Sequence, residues 1–231
     1  EPNTMIACFV TGTDTGIGKT LSSCALLHAL AQHHRRVVGM KPVASGAEAD
    51  CHGGWANEDS LALRAASTLA VHPQLDNPVL LPDPVSPHIA AARAGVTVQL
   101  QPIVQAYQQL AAQADAVVVE GAGGWLVPLS PSLRIADLAV ALQLPVVLVV
   151  GLKLGCINHA LLSADAIRAS GLTLAGWVAN RVDPAMREQE ANLAYLQAHL
   201  GAPLLADIPW QPQPDARSVA VQLPKEWQCK R

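Results

Sequence analysis

The stretch VTGTDTGIGKT, residues 10–20, decides how the rest of the chain is read. It follows the apolar run MIACFV and precedes TLSSCALLHALA, a segment suited to a helix. Strand, glycine-threonine turn, Lys-Thr and helix in that order make a phosphate cradle. Backbone N–H groups of the turn and of the helix start point at an anion. Gly16 and Gly18 permit the backbone angles that let phosphate approach closely. Lys19 reaches β- and γ-phosphates, and the Thr20 hydroxyl suits Mg²⁺. The spacing departs from the usual G-x-x-x-x-G-K-[ST], because five residues, 13–17, separate Gly12 from Gly18. With no G-x-G-x-x-G in the chain, the expected ligand is a nucleoside triphosphate and not a dinucleotide.

Outward from the loop, short apolar runs alternate with longer Ala/Leu-rich segments. Residues 5–10, 37–40, 116–119, 146–150, 174–179 and, as a sixth, 204–208 read as strands covered on both faces. Residues 19–33, 59–70, 100–113, 158–169 and 185–200 read as helices. The alternation predicts an α/β fold, a single P-loop NTPase-like domain over 1–231, with a mostly parallel sheet and helices on both faces. The Pro- and Gly-rich region 45–95 is expected to form loops and short helices over one end of the sheet.

The composition agrees. Hydrophobic residues make up 51% of the 231 and charged residues 14%, enough for a large core and too apolar for disorder. Only 3% is aromatic, so that core must be Ala, Val, Leu and Ile. A net charge of −3 with scattered Lys and Arg argues against nucleic acid as a partner. The most apolar stretch, 138–152, contains Gln143 and Pro145 and is too short to span a bilayer. Five cysteines without a C-x-x-C pair, in a chain with no recognisable leader, suggest a reducing, cytoplasmic setting.

Two further clusters belong to the same end of the sheet. In DAVVVEGAGGW, Glu120 is expected at the end of a strand, just before a turn of Gly121, Ala122, Gly123 and Gly124. Ligands of open α/β sheets bind beyond the strand carboxyl ends, so an acid there suits a phosphate-bridging metal. In KPVASG, Lys41 ends the second strand on the same edge as Lys19. Two lysines converging on one phosphate-sized space suit a transferring phosphoryl group. The eight histidines show no metal-ligand spacing.

Together these segments resemble the dethiobiotin synthetase family. The resemblance runs through VTGTDT-x-x-GKT, KPVASG, PVSPHIAA, VEGAGGW, VVGLKLGCINHALL, GWVAN and PLLADIPW, and so through most of the chain. That family has the lengthened loop. It implies an ATP- and Mg²⁺-dependent cyclo-ligase that closes a ureido ring on 7,8-diaminopelargonic acid with CO₂. A carbamate and a carbamic–phosphoric anhydride would precede ring closure, with ADP and phosphate released.

The resemblance also implies residue roles. Lys19, Lys41 and Thr15 would be catalytic. Gly16, Ile17, Gly18, Lys19, Thr20 and the turn Gly121, Ala122, Gly123 would hold the phosphates. Thr20, Asp59 and Glu120 would surround Mg²⁺, with Glu58 as the alternative to Asp59. Ser45, Thr15, Lys41 and Pro84 would meet the substrate. Asn180 and Arg181, with Pro209, Trp210, Gln211 and Asp215, would surround adenine and ribose. Asn158, in the helix opened by Gly155, would take the distal carboxylate from the partner subunit of a homodimer. Where many members of the family have Glu, this chain has Gly16, which bears on nucleotide selectivity. Two rivals share the fold. A chromosome-partitioning or division-site ATPase would carry a second lysine where Thr13 stands, and an amidating ligase would need a glutamine-hydrolysing domain for which no residues remain.

Overall fold

The computed structural model describes residues 4–229. In chain order the elements are β1 (Ile6–Gly12), α1 (Lys19–Ala31), β2 (Val37–Met40), β3 (Val43–Ser45), β4 (Glu48–Ala49) and β5 (Trp55–Ala56). Then come α2 (Glu58–Ala66), α3 (Pro73–Asp76), β6 (Val79–Leu81), α4 (Pro87–Ala94), α5 (Leu100–Gln113) and β7 (Ala116–Gly124). The chain continues through α6 (Ile135–Leu142), β8 (Val146–Gly151), α7 (Cys156–Ala169), β9 (Leu174–Asn180), α8 (Gln189–His199) and β10 (Leu204–Ile208).

Six strands form one sheet in the order β10-β9-β8-β1-β7-β2, with every adjacent pair parallel. Successive strand side chains point to opposite faces, and here both faces are covered. Phe9, Val117, Val119, Leu148 and Val150 pack with Leu110 of α5, Leu138 of α6, Ile167 of α7 and Leu196 of α8. Their neighbours Cys8, Val10, Val118, Val147 and Val149 pack on the other face with Leu26 and Leu30 of α1, Leu63 of α2 and Trp227 of the C-terminal segment. Each such large side chain contributes roughly 1.5–3 kcal/mol by burial. The continuous apolar runs in the sequence are the direct result. β1 lies between β7 and β8, so the phosphate loop opens from the middle of the sheet.

Several boundaries differ from the sequence expectation. α2 ends at Ala66 and not at residue 70, because Ser67 and Thr68 leave the helix to serve the edge strand β2. The Gly39 amide donates to Ser67 Oγ and the Val37 amide to Thr68 Oγ1. α8 begins at Gln189 and not at 185, since Asp183 holds a turn by accepting the Ala185 amide. α6 was not foreseen. Its sequence IADLAVAL runs into the apolar strand β8, and only Gln143, at φ 53°, and Pro145 mark the break. Region 45–95 contains the expected short helices, and also a parallel β3–β6 pair and a β4–β5 hairpin.

β7 gives the largest correction. The sequence placed Glu120 at a strand end before a glycine turn. Instead β7 continues through Gly124, and Glu120 lies within it, paired with Val10. The pairing of β1 with β7 breaks after Val10 and Glu120 and resumes, with a register shift, at Gly12 and Gly124.

Candidate active site

The loop between β1 and α1 folds as a peg and a cradle. Ile17, the residue before Gly18, turns inward and is fully buried. A Cβ at Gly12 would lie 2.8 Å from the Ile17 side chain, and one at Gly151 only 2.6 Å, so the two glycines make the peg's socket. The Ile17 carbonyl accepts the Asn180 side-chain amide at 2.9 Å. Gly18 then caps α1 at φ 85° and ψ 36°, the left-handed region that glycine enters without strain. A Cβ there would stand 2.1 Å from Asn180 Nδ2. No side chain caps α1, so its first-turn N–H groups remain available to an anion.

Lys19, Lys41, Thr20, Asp59 and Glu120 meet at the mouth of this loop. The Lys41 ammonium donates to Asp59 Oδ2 at 2.9 Å, to Glu120 Oε1 at 3.0 Å and to the Gly121 carbonyl at 3.1 Å. The Thr20 hydroxyl donates to the same Glu120 Oε1 at 2.8 Å. Lys41 and Glu120 are buried, whereas the Asp59 side chain is 41% exposed. Glu120 Oε2 is buried with no hydrogen-bond partner in the protein, and so is Ser45 Oγ.

The charges shift one another. Burial would lower the Lys41 pKa, but Glu120 and Asp59 outweigh it and hold the ammonium above the usual lysine value. Lys19 goes the other way. Burial, then repulsion from Lys41, lowers its pKa against the pull of Glu120, Asp59 and Asp14. For Asp59, burial pushes upward, and the Lys41 charge and hydrogen bond, with the Lys19 charge, bring the carboxyl below its ordinary value. The site therefore gathers Asp59 and Glu120 around Lys41, with Lys19 beside them held below the ordinary lysine value.

A cavity of about 670 Å³ gathers most of the expected residues: Thr15, Gly16, Gly18, Lys19, Thr20, Lys41, Ser45, Asp59, Pro84, Glu120, Ala122 and Gly123. Ile17 and Gly121 are buried behind it. Asp59, not Glu58, faces Lys41. Asn180 stands beside Gly18. The others lie outside the cavity wall. Arg181 pairs with Asp207 and Glu190, Asp215 accepts the Arg217 amide, and Trp210 is 47% exposed next to Pro209 and Gln211. Asn158 is exposed on α7. A second cleft, about 680 Å³, lies between α1, β10 and residues 217–228, and none of the charged loop residues lines it.

Sequence reading missed the residues that hold Lys41. Its amide donates to the Asp76 carbonyl at 2.7 Å and its carbonyl accepts Asn77 Nδ2 at 2.7 Å. Asp76 is itself buried and held by two of the Arg64 guanidinium nitrogens, Nε and Nη2. No local motif marks these positions.

Comparison with known proteins adds the decisive observation. The chain is 58% identical over 221 residues to the ATP-dependent dethiobiotin synthetase of Xanthomonas axonopodis pv. citri, spanning 95% of this chain and 98% of that one. The chain belongs to the ATP-dependent dethiobiotin synthetase family. The dethiobiotin synthetase of Xylella fastidiosa is 55% identical over 89% of this chain and 91% of its own. A family model described as an AAA domain matches residues 7–218. Among solved structures, a ParA family ATPase from Chlorobium tepidum superposes with a TM-score of 0.57 at 14% identity, over 90% of this chain and 86% of that one. The MinD cell division protein of Aquifex aeolicus gives 0.55 at 15% identity, over 90% and 83%. At that identity the partitioning and division-site ATPases share the fold alone, and family membership rests on the dethiobiotin synthetases.

Proposed function

We propose that the chain closes the ureido ring of dethiobiotin from 7,8-diaminopelargonic acid and CO₂ at the expense of ATP, in the synthesis of biotin. The observation that carries the reading is the convergence of Lys19, Lys41, Thr20, Asp59 and Glu120 on one cavity in a chain with this family's identity.

The residues suit the steps. One substrate amine takes up CO₂ as a carbamate, whose oxygen accepts the γ-phosphoryl group. The second amine then attacks the carbonyl of the mixed anhydride and expels phosphate. The loop amides and Lys19 bind the triphosphate. Lys41 sits deeper, held above its usual pKa, and supplies fixed positive charge where carbamate and phosphoryl oxygens crowd together. Thr15 and the unpaired Ser45 hydroxyl offer hydrogen bonds to the carbamate or its amine, with Pro84 as a wall.

Thr20, Asp59 and Glu120 would hold Mg²⁺. The donors are hard oxygens, and the orphaned Glu120 Oε2 fits a cation there. Bound Mg²⁺ would neutralise charge on the β- and γ-phosphates. Asn180, Arg181, Pro209, Trp210, Gln211 and Asp215 would surround the adenosine, and the Asn180–Ile17 bond supports this by tying the base-side strand to the phosphate loop.

The substrate's distal carboxylate needs a second anion site. A groove of about 450 Å³ leads away from Thr15 between Gly124–Pro128 and Leu162 of α7. Leu126 and Leu162, 55% and 60% exposed, line it. Covering them with a second copy gives a homodimer in which Asn158 serves the neighbouring site. Among the described residues no helix is long and apolar enough to cross a membrane, and all five cysteines are unpaired, which suits the cytoplasm. The test is ADP release with and without diaminopelargonate and bicarbonate. Release that ignores both would overturn the reading.

A further inference from the structure

Asp59 is half-exposed, yet it must stand 2.9 Å from the buried Lys41. It is separated from the Lys41–Gly46 loop by the β4–β5 hairpin, a thin excursion with two residues in each strand. Hairpins this small have little stability of their own. Something else must set the distance between the two segments.

That role falls to Asn57, a residue no motif in the chain singles out. Its side chain is 8% exposed and uses its whole hydrogen-bonding capacity. Oδ1 accepts the amides of Asp59 at 3.0 Å and Ser60 at 3.2 Å, capping α2. Nδ2 donates to the Gly46 carbonyl at 2.9 Å and to the Ser45 carbonyl at 3.4 Å. One planar amide thus closes the base of the hairpin. It fixes the backbone of Asp59 against the backbone of Ser45.

We infer that Asn57 is a positioning residue for phosphoryl transfer, clamping the loop of Lys41 and Ser45 to the helix start that carries Asp59. The inference rests on the proposed reaction. The two functions of the amide separate chemically. Serine and aspartate are as good as asparagine at capping a helix. The serine hydroxyl stops one atom short of the position from which Nδ2 reaches Gly46, and an ionised aspartate has no proton to donate. Asn57→Ser therefore keeps the cap and removes the clamp without adding charge. Asn57→Asp keeps length and cap, and likewise cannot donate.

The experiment has two arms. In turnover, Asn57→Ser should lower kcat roughly 10- to 100-fold, as small misplacement of reacting groups does, while the KM for ATP moves less than about threefold. In binding, calorimetry with ADP should show the gain in affinity on adding Mg²⁺ shrinking in the variant, with metal-free ADP affinity unchanged. Asn57→Asp should show the same kcat loss, and both variants should melt within a few degrees of the unaltered chain. A kcat and a Mg²⁺ gain in both variants equal to those of the unaltered chain would overturn the inference. So would a loss of melting temperature in both, with kcat lost in proportion to folded protein, which would reduce the bond from Asn57 to Gly46 to a stabilising contact. If the unaltered chain fails to turn over diaminopelargonate, the proposed function falls, and the binding arm still decides the clamp.

Discussion

Lys41 Nζ lies 3.0 Å from Glu120 Oε1, and both side chains are removed from solvent. Such a pair has lost its hydration, and breaking it strands a charge in the interior. Lys41→Met should destabilise the fold by about 3–5 kcal/mol through the unpaired Glu120. The double change Lys41→Met with Glu120→Leu should recover much of that stability and none of the activity. Urea unfolding of the three variants measures the cycle. Additive losses would mean that the pair does not interact as the geometry requires.

Turnover should separate the two lysines. Lys19→Ala removes a cradle charge and should lower the rate by roughly 10²–10³. Lys41→Gln should depress kcat far more than it weakens ATP binding, since its charge matters when carbamate and phosphoryl oxygens meet. Steady-state kinetics paired with equilibrium ATP binding tests both. A Lys41→Gln variant with near-normal kcat would return that lysine to a structural role.

The same lysines have opposite pH signatures. Lys19 is lowered from 10.5, so between its folded pKa and 10.5 the unfolded chain binds more protons and stability rises with pH. Lys41 is raised above 10.5, so its stabilisation is present below 10.5 and is lost as pH climbs past it. Relative to Lys19→Met, the unaltered chain should gain stability as pH approaches 10.5. Relative to Lys41→Met, it should lose stability beyond that point. Denaturant titrations at several alkaline pH values give the two slopes.

Gly18 and Gly16 look alike in the sequence and should behave differently. Both have positive φ, 85° and 72°. A methyl at Gly18 meets Asn180 Nδ2 at 2.1 Å, whereas nothing lies within 4 Å of one at Gly16. Gly16→Ala should cost roughly 1 kcal/mol of backbone strain and little nucleotide affinity. Gly18→Ala should break the Asn180–Ile17 bond and abolish ATP binding by calorimetry.

The proposed homodimer is tested by complementation. Leu162→Asp should yield monomers by light scattering that bind ATP and hold diaminopelargonate poorly. Asn158→Ala should raise the KM for that substrate with ATP binding intact. Mixed dimers of Lys19→Ala and Asn158→Ala chains should regain one working site. Confirmed subunit exchange without recovered activity would dismiss the shared site.

What the sequence made legible follows from contact distance along the chain. The cradle is local, so Gly18, Lys19 and Thr20 could be read from their order alone. Lys41 and Glu120 were legible as strand-associated groups on one sheet edge. Asn57, Asp76 and Asn77 were not, because each acts on a backbone group of a segment far from it in sequence, and an isolated Asn or Asp carries no sign of its partner. Ile17 gave no signal either, since its socket is formed by Gly12 and Gly151. The boundary of α6 was hidden because buried helix and buried strand share one apolar composition. The true extent of β7 was hidden because glycines read as a turn wherever neighbouring strands are out of view.

The sheet order has a consequence for how the molecule is made. Ile6 pairs with Ala116, Phe9 with Val146, and the last turn of the cradle leans on Gly151. Entropy of closing such long loops must be overcome before those contacts help, so folding is slow and dominated by distant encounters. On the ribosome, the apolar strand that leads into the phosphate loop emerges before both of its neighbours and waits for them to be synthesised. Until then it is an unpaired, aggregation-prone edge.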